Sequence, residues 1–387
     1  MIGMSAVIFI PDDTAKTGYP QPLMLQSVMG APLLAWLANA LFDSGVGRFF
    51  LVCHDRYVEA ARACLPAEAE VMTTMDSDPA DLLHVFLSTA EDAEHTITVV
   101  TGPAVYLPQL APQAAGRFPR VYGVSREELM QALDEHFSFA RFLLDNGSPM
   151  NEGQAMYSVA SPAELPEIAG LLQRNRLLAL ARTGVEIYDA SSCYVEPSVR
   201  VAPGARLLPG TMLRGKTVIG EEAVIGPWSV IDDSVIGARA VVNASQVRES
   251  RVGQDAVVGP YASVRGGCEL GRSVRAGSFV ELKNARLGEN TQVPHLAYLG
   301  DTEAGANCNF GCGVTTANFD RVQKHETVVG EGAFIGCNTA LIAPLQVGSG
   351  AYIGAGSTIT EDVPAQALGI ARARQSNKKE WAAKHKK

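Results

Sequence analysis

Aliphatic positions in the second half of the chain recur every six residues. The first series is Val195, Val201, Leu207, Leu213, Ile219, Ile225 and Ile231. After a slip in phase, aliphatic-glycine pairs continue the repeat from Ile236-Gly237 to Ile353-Gly354. A fixed internal period indicates a solenoid, in which each repeat packs on its neighbours. We therefore predict a parallel β-helix over residues 185–365, with three six-residue units in each triangular coil and inward aliphatic side chains stacked about 4.8 Å apart.

Two features of the repeat refine this prediction. A β-sandwich is the alternative fold, but it would require period-two alternation and turns every ~8–12 residues rather than a period of six. The repeat is interrupted between Gly311 and Gly330 by the polar and basic segment 316–325. Loops on rigid scaffolds often carry binding residues, so we expect this segment to leave the coil and to contribute to a site.

The first 160 residues have a different pattern. Strand-like runs at 6–10, 49–53 and 96–100 alternate with helical runs at 33–41, 57–64 and 127–135. This alternation predicts an α/β sheet domain over residues 1–160. A capping-box pattern at Ser161-Pro162-Ala163-Glu164 then predicts a connecting helix over 161–184, which Gly184 ends. Residues 366–387 form a basic tail.

Composition narrows the class of protein. The 387 residues are 47% hydrophobic and carry a net charge of −9, which disfavours a general nucleic-acid binder. Basic residues concentrate between Arg372 and Lys387. The seven cysteines form an odd set without a CxxC pair, so neither a disulfide framework nor a zinc ribbon is indicated. With no signal-like segment and no apolar run of about 18 residues, we expect a cytoplasmic protein without a membrane partner.

Longer sequence motifs that are specific to one protein family begin at Gly277. The runs GSFVELKNARLG, PHLAYLGD and NCNFGCGVTTANFDRVQKH are followed by LIAPLQVGSGAYIGAGSTITEDVPAQALGIARARQSNKKEW. Together they resemble the bacterial bifunctional N-acetylglucosamine-1-phosphate uridyltransferase/glucosamine-1-phosphate acetyltransferase family over about residues 185–381. The resemblance implies a left-handed β-helix, acetyl-CoA as co-substrate, and glucosamine 1-phosphate as acceptor in the synthesis of UDP-N-acetylglucosamine, a cell-wall precursor.

Acetyl transfer to an amine requires a base, cations for the sugar phosphate and donors for the thioester oxyanion. An imidazole titrates near neutral pH, and His295 in PHLAYLGD matches the catalytic base of the family. The resemblance also implies a set of substrate-binding residues and a set of acetyl-CoA-binding residues, the latter in a groove between subunits of a homotrimer. The substrate set is Arg265, Lys283, Tyr298, Asn309, Asn318, Phe319 and Lys324; the acetyl-CoA set is Cys337, Ala355, Arg372 and Lys378.

Two of these positions depart from the family pattern. Phe319 stands where the family usually has Tyr, and Cys337 stands where it usually has Ser. Loss of one hydrogen bond costs about 0.5–1.5 kcal/mol, so we expect weakened rather than abolished activity. A thiol near the acetyl group also leaves an acetyl-cysteine intermediate open as an alternative to direct attack.

The N-terminal domain lacks the nucleotide-binding sequence motifs of the family. FIPDDTAKT replaces the Gly-rich run, with Lys16 in place of the catalytic Arg, and Leu23 replaces a nucleotide-contacting Lys. Gly102-Pro103 and Val159-Ala160-Ser161 fall where metal ligands are expected. Magnesium-assisted pyrophosphate chemistry needs oxygen ligands there. We therefore expect a truncated, degenerate nucleotidyltransferase-like (Rossmann-like) domain without uridyltransferase activity and no metal for acetyl transfer.

Three alternatives remain open at this point. One is a bifunctional enzyme that keeps uridyltransferase activity with Mg²⁺. Another is a scaffold that binds the sugar phosphate or acetyl-CoA without turnover, for which Phe319 and Cys337 are the best support. The least favoured is a γ-class carbonic anhydrase, because it needs three metal-binding histidines and only His295 and His325 are available in the repeat region.

Overall fold

In the computed structural model the described residues are 4–75, 79–90, 95–109, 120–135, 139–150 and 155–384. The chain divides into two compact units, Met1–Thr183 with Tyr194–Val199, and Gly184–Cys193 with Arg200–Lys387. The strands of the first unit up to the connecting helix are β1 (Met4–Phe9), β2 (Ser27–Val28), β3 (Ala31–Pro32), β4 (Val46–Val52), β5 (Glu70–Thr74), β6 (Thr96–Val100), β7 (Ala104–Tyr106), β8 (Val121–Ser125), β9 (Ser148–Met150) and β10 (Met156–Ser158).

Helices cover both faces of this sheet. They are α1 (Thr14–Thr17), α2 (Leu33–Asp43), α3 (Val58–Arg62), α4 (Ala80–Ser88), α5 (Arg126–Asp134), α6 (Phe139–Asn146) and α7 (Leu165–Arg182). The sheet order is β5-β4-β1-β6-β8-β9, parallel except where β8 pairs with β6 and β9. Strand side chains alternate between faces. Phe49 therefore enters the core that contains α2, and Phe50 enters the core that contains α4 and α5.

The connecting helix begins later than its sequence suggests. A 3₁₀ turn occupies Pro162–Glu164 and α7 starts at Leu165. The Ser161 side chain makes no capping hydrogen bond, whereas Glu164 Oε2 accepts from the backbone N–H of Ala160 at 3.1 Å. A capping box at Ser161 would have the glutamate accept from the Ser161 N–H, so the bond from Ala160 lies one residue earlier than predicted, where the 3₁₀ turn separates Ser161 from the first α-helical turn.

The second unit is a coil of short parallel strands. They are β11 (Glu186–Ile187), β13 (Arg200–Val201), β14 (Arg206–Leu207), β15 (Met212–Arg214), β16 (Val218–Ile219), β17 (Val224–Ile225), β18 (Val230–Asp232), β19 (Val235–Ile236), β20 (Val241–Val242), β21 (Gln246–Arg248), β22 (Arg251–Val252), β23 (Val257–Val258), β24 (Ser263–Arg265), β25 (Glu269–Leu270), β26 (Arg275–Ser278), β27 (Glu281–Leu287), β28 (Gln292–His295), β29 (Tyr298–Ala304), β30 (Asn309–Phe310), β31 (Thr315–Ala317), β32 (Thr327–Val329), β33 (Phe334–Ile335), β34 (Ala340–Ile342), β35 (Leu345–Val347), β36 (Tyr352–Ile353), β37 (Thr358–Ile359) and β38 (Leu368–Gly369); β12 (Tyr194–Val195) belongs to the first unit.

Stacked coils pair in register. Leu207 lies opposite Ile225, and Val258 lies opposite Ala276, so each coil uses eighteen residues there. Most predicted aliphatic positions are buried in this stack, while Val201 is only half-buried. The parallel pairing of these strands makes the β-sandwich alternative wrong. The tail carries a short helix α8 (Trp381–Lys384), and residues 385–387 lie outside the described part of the chain.

Candidate functional site

Cationic side chains stack on one face of the coil. Arg265 at the end of β24 is the register partner of Lys283 in β27, and Lys283 is in turn the partner of Gly300 in β29. In-register residues of neighbouring strands point to the same side of the sheet. The guanidinium of Arg265 also forms an ion pair with Glu281. The stack therefore presents two positive side chains followed by a position without a side chain.

The space above Gly300 is filled by two predicted site residues. A Cβ at this glycine would lie 2.4 Å from Tyr298 Oη and 2.8 Å from Asn318 Nδ2. Real Cβ atoms do not approach other atoms so closely, so both side chains can pack here only because position 300 is glycine. Asn318 is 7% exposed. Tyr298 and Asn318 are thus neighbours, next to Lys283 on the adjacent strand.

Lys324 reaches this place from the predicted loop, which leaves the coil after β31 and returns at β32. The backbone N–H of Val322 and that of Gln323 each donate to Asp320 Oδ1 at 2.7 Å. His325 Nε2 lies 2.7 Å from Asp320 Oδ2, and its backbone N–H donates to the Asn318 carbonyl at 2.8 Å. These hydrogen bonds, led by that from Gln323, hold the pKa of Asp320 well below its usual range.

Lys283 lies close to two other cationic side chains, Lys324 and Arg265. The pKa of Lys283 is lowered from its ordinary 10.5, first by a side-chain hydrogen bond with Lys324, then by the charges of Lys324 and Arg265, while Asp301 acts in the opposite direction. Like charges at such short range disfavour the protonated form. A bound anion would relieve this repulsion, and phosphate is suited to a Lys and Arg cluster.

His295 lies at a corner of the coil, three residues before Tyr298. It ends β28, and its side chain is exposed. The backbone at this corner forms a ladder in which Gly313 N donates to Leu296 O at 2.8 Å, Asn338 N donates to Cys312 O at 2.7 Å and Gly356 N donates to Cys337 O at 2.7 Å. Successive coils therefore place Cys337 and Ala355 along the same edge as His295.

Residues from the tail extend this edge. Arg372 Cδ would lie 3.8 Å from a Cβ on Gly356, which places its stem beside the next turn of the ladder. Ala355, Arg372 and Lys378 are all exposed, and Lys378 lies further along the tail. Cys337 is exposed, in contrast to the buried Cys193, Cys268 and Cys308. The corner thus combines an imidazole, a thiol and a guanidinium that a ligand can reach.

Asn309 lies on a different face from the cations. It pairs with Gln292 in β28 and with Phe334 in β33. Phe334 and Tyr352 stack on that face with ring centroids 4.6 Å apart. Within one chain the structure therefore brings Arg265, Lys283, Tyr298, Asn318 and Lys324 together, with the exposed ring of Phe319 on the same loop. It does not bring Asn309 to them.

Sequence reasoning missed Asn284 and Asp301, which contact the site, and Asp320, which closes the loop. Asn284 and Asp301 occupy the same corner of successive coils, with φ of 50° and 46°. Asn and Asp tolerate this left-handed conformation better than most residues. The sequence signal that could have identified Asn284 and Asp301 is their spacing of seventeen residues, which puts two polar residues at the same position of successive coils.

The α/β unit offers a contrasting loop after β1. Asp13 Oδ1 accepts from the backbone N–H of Leu23 at 2.9 Å, and Asp12 Oδ1 accepts from Thr14 Oγ1 at 2.7 Å. Arg56 pairs with the other oxygen of Asp12. A Cβ on Gly102 would lie 2.7 Å from Arg120 Nη1. Carboxylates with partners inside the protein thus line the loop after β1, and a guanidinium lies beside Gly102.

Among the residues that the structure describes there is no group of three or more His, Cys, Asp or Glu side chains that could hold a metal ion. Within the same residues, no helix has the length and apolar character needed to cross a bilayer.

Comparison with known proteins supports the sequence resemblance. Residues 326–361 match the family model "Bacterial transferase hexapeptide (six repeats)". The chain is 41% identical over 240 residues to the "Bifunctional protein GlmU" of Clostridium perfringens SM101 (62% of this chain, 53% of the relative), and 44% identical over 221 residues to that of Brevibacillus brevis 47 (57% and 48%). The chain thus spans about half the length of these curated relatives. The predicted resemblance to the bifunctional family and the hexapeptide-repeat β-helix are confirmed.

Solved structures overlap less well. A UDP-N-acetylglucosamine acyltransferase from Francisella novicida is 18% identical and covers 48% of this chain and 66% of its own, with a TM-score of 0.26. An inositol-1-phosphate CTP transferase from T. maritima is 13% identical and covers 46% and 97%, with a TM-score of 0.35.

Proposed function

We propose that the coil unit transfers acetyl from acetyl-CoA to the amine of glucosamine 1-phosphate, in UDP-N-acetylglucosamine synthesis in the cytoplasm. The observation that carries this proposal is the cluster of Lys283, Lys324 and Arg265, in which mutual proximity lowers the pKa of Lys283. A sugar phosphate supplies the missing negative charge. The neighbouring Tyr298 and Asn318 offer polar groups for the sugar, and the resemblance to the bifunctional family favours glucosamine as that sugar.

The proposed reaction is a direct acyl transfer. His295 takes a proton from the amine as its nitrogen attacks the thioester carbonyl, which gives a tetrahedral intermediate. Collapse of this intermediate breaks the C–S bond, forms the amide and releases coenzyme A, whose sulfur receives the proton. Cys337, Ala355, Arg372 and Lys378 would bind acetyl-CoA along the corner edge, with the basic residues near its phosphates.

We further propose that the active unit is a homotrimer. Asn309 lies on another face than the cation cluster, so a single chain cannot bring it to a sugar bound there. A cyclic trimer would allow a neighbouring subunit to supply such a residue at each of three equivalent sites. Sedimentation of the purified protein tests this assembly.

The α/β unit is proposed to lack uridyltransferase activity. The internally paired Asp12 and Arg56, and the guanidinium beside Gly102, support this proposal. UTP-dependent release of pyrophosphate by the purified protein would restore the bifunctional alternative.

A free-thiol assay tests the acetyltransferase proposal. Purified protein with glucosamine 1-phosphate and acetyl-CoA should release coenzyme A, and His295→Ala should lower the rate about 10²-fold or more if the imidazole is the base. His54→Ala, the same change at an exposed histidine of the other unit, is the control and should be unchanged. No release by the wild-type protein would favour the non-catalytic scaffold.

A further inference from the structure

A carboxylate holds the buried carboxamide of the candidate site. Asn318 Nδ2 donates to Asp301 Oδ2 at 2.5 Å, and Asn284 Nδ2 donates to Asp301 Oδ1 at 2.6 Å. Asp301 and Asn284 lie where β29 and β27 bend from one face of the coil to the next. One acidic side chain is therefore shared between two carboxamides at the edge of the site.

The chemistry of this arrangement fixes which way Asn318 points. An ionised carboxylate can only accept hydrogen bonds, so both carboxamides must turn their NH₂ groups toward Asp301. The carbonyl oxygen of Asn318 then faces the other way. Asn318 Nδ2 packs on Gly300 beside the Tyr298 hydroxyl. Because Nδ2 is committed to Asp301, the carbonyl oxygen is the polar atom of this carboxamide that can accept a hydrogen bond from a ligand. Asp301 also favours the protonated form of the neighbouring Lys283.

We infer that Asp301 is a positioning residue, which orients Asn318 so that its carbonyl oxygen accepts a hydrogen bond from the amine or a hydroxyl of the amino sugar. This inference rests on the proposed function. Asp301 acts through Asn318 and has no assigned contact with the substrate. A substrate site that recognises a donor group should therefore lose affinity when the carboxamide is free to turn over.

Another corner of the coil provides a matched control. There, Asn290 Nδ2 donates to Asn307 Oδ1 at 3.3 Å and Asn307 Nδ2 donates to Glu331 Oε1 at 3.4 Å. Glu331 thus also accepts from a carboxamide one coil away, but this ladder is exposed and contains none of the candidate site residues. Glu331→Gln makes the same change of charge and hydrogen-bonding capacity as Asp301→Asn.

Asp301→Asn is the first test. The new carboxamide has an NH₂ group in place of one carboxylate oxygen, so it cannot accept at both of the positions to which Asn284 and Asn318 donate. We expect the KM for glucosamine 1-phosphate to rise about 10-fold or more, because a misoriented or unsatisfied group faces the sugar. The KM for acetyl-CoA should stay within about 2-fold, and Glu331→Gln should leave both constants unchanged.

A double variant tests orientation rather than packing. In Asp301→Asn with Asn318→Asp, the carboxylate introduced at position 318 accepts from the new NH₂ group and keeps an oxygen facing the sugar. The new carbonyl at position 301 still accepts from Asn284. We expect the KM for glucosamine 1-phosphate to return to within about 3-fold of wild type. A purely structural role would shift the Tm and the KM values for both substrates together, whereas a positioning role changes and restores the KM for glucosamine 1-phosphate alone. Measuring both KM values and the Tm of the double variant decides the question even if Asp301→Asn does not fold.

The outcomes separate the inference from the proposed function. If the wild-type protein turns over glucosamine 1-phosphate but Asp301→Asn matches Glu331→Gln, or the double variant shows no rescue, the positioning role is overturned and the proposed function stands. If the wild-type protein neither binds glucosamine 1-phosphate by calorimetry nor releases coenzyme A, the proposed function fails and this inference fails with it.

Discussion

The loop after β1 in the α/β unit and the cation cluster on the coil differ in how their charges are balanced. Asp12 has Thr14 and Arg56 as partners, and Asp13 accepts from the backbone of Leu23. On the coil, Lys283 and Lys324 lie side by side with Arg265 nearby. The charged groups of the loop have partners of opposite charge or hydrogen-bond donors, whereas on the coil Arg265 is paired with Glu281 but Lys283 and Lys324 lie next to each other.

This difference indicates where a ligand is needed. Cations that the fold holds close together, such as Lys283 and Lys324, destabilise the unliganded protein. Their presence at one place therefore favours an anion-binding site there. Exposed pairs such as that of Asp12 and Arg56 contribute little to stability and need no ligand to balance them. The comparison therefore supports the proposed anion site on the coil rather than one in the loop after β1.

Among substitutions at the cluster and the side chains next to it, removing a lysine should have the largest effect. Lys283→Met would remove the charge-assisted hydrogen bond that we propose for the phosphate, and we expect kcat/KM for glucosamine 1-phosphate to fall roughly 10- to 100-fold. Steady-state coenzyme A release measures this. Lys216→Met, at an exposed lysine elsewhere on the coil, is the control. Equal activity of the two variants would remove the cluster from the site.

The same variant has a pH signature in the unliganded protein. A lysine whose pKa is lowered by folding destabilises the folded state below that pKa, and the penalty disappears as the pH rises toward its ordinary 10.5. Lys283→Met should therefore raise the Tm at neutral pH, and its advantage should shrink toward pH 10.5. Thermal melts across this interval, with Lys216→Met as reference, would refute the repulsion if the advantage grew with pH.

Gly300→Ala should have an intermediate effect. The added Cβ would meet Tyr298 Oη at 2.4 Å and Asn318 Nδ2 at 2.8 Å, so both side chains must move while the backbone needs no change of conformation. We expect a rise of about 10-fold in the KM for glucosamine 1-phosphate with a modest loss of Tm. An unchanged KM would show that these two side chains do not contact the sugar.

Phe319→Tyr should have the smallest effect and the opposite sign. The ring is exposed beside Asn318, and the added hydroxyl would restore the contact that the family usually makes. We expect kcat/KM to increase about 2- to 10-fold, as for one added hydrogen bond. Phe334→Tyr, another aromatic residue on a different face, is the control. A decrease with Phe319→Tyr would mean that this chain holds its substrate differently.

The sequence predicted the coil well because burial repeats with the geometry. Ile225, Ile231 and their counterparts face the same interior at each coil, so a period of six is visible without the structure. The helix start at Leu165 was missed because a 3₁₀ turn and a capping box share the same residues. Such local competition is decided by packing rather than by pattern.

Site residues were predictable only in part. His295 and the cations were found through resemblance, and the structure groups Lys283, Lys324, Tyr298 and Asn318. The roles of Asp301 and Asp320 depend on hydrogen bonds across coils and around a loop, which no spacing rule predicts. The separation of Asn309 from the cluster likewise follows from which strand faces which side.

Calorimetric titration of the intact protein tests the central claim most directly. Glucosamine 1-phosphate should bind with saturable heat that Lys283→Met weakens at least 10-fold, and UTP with magnesium should give no saturable heat. Binding of UTP with magnesium together with no detectable binding of glucosamine 1-phosphate would contradict the account, because it would place the anion site in the unit whose charges are already balanced.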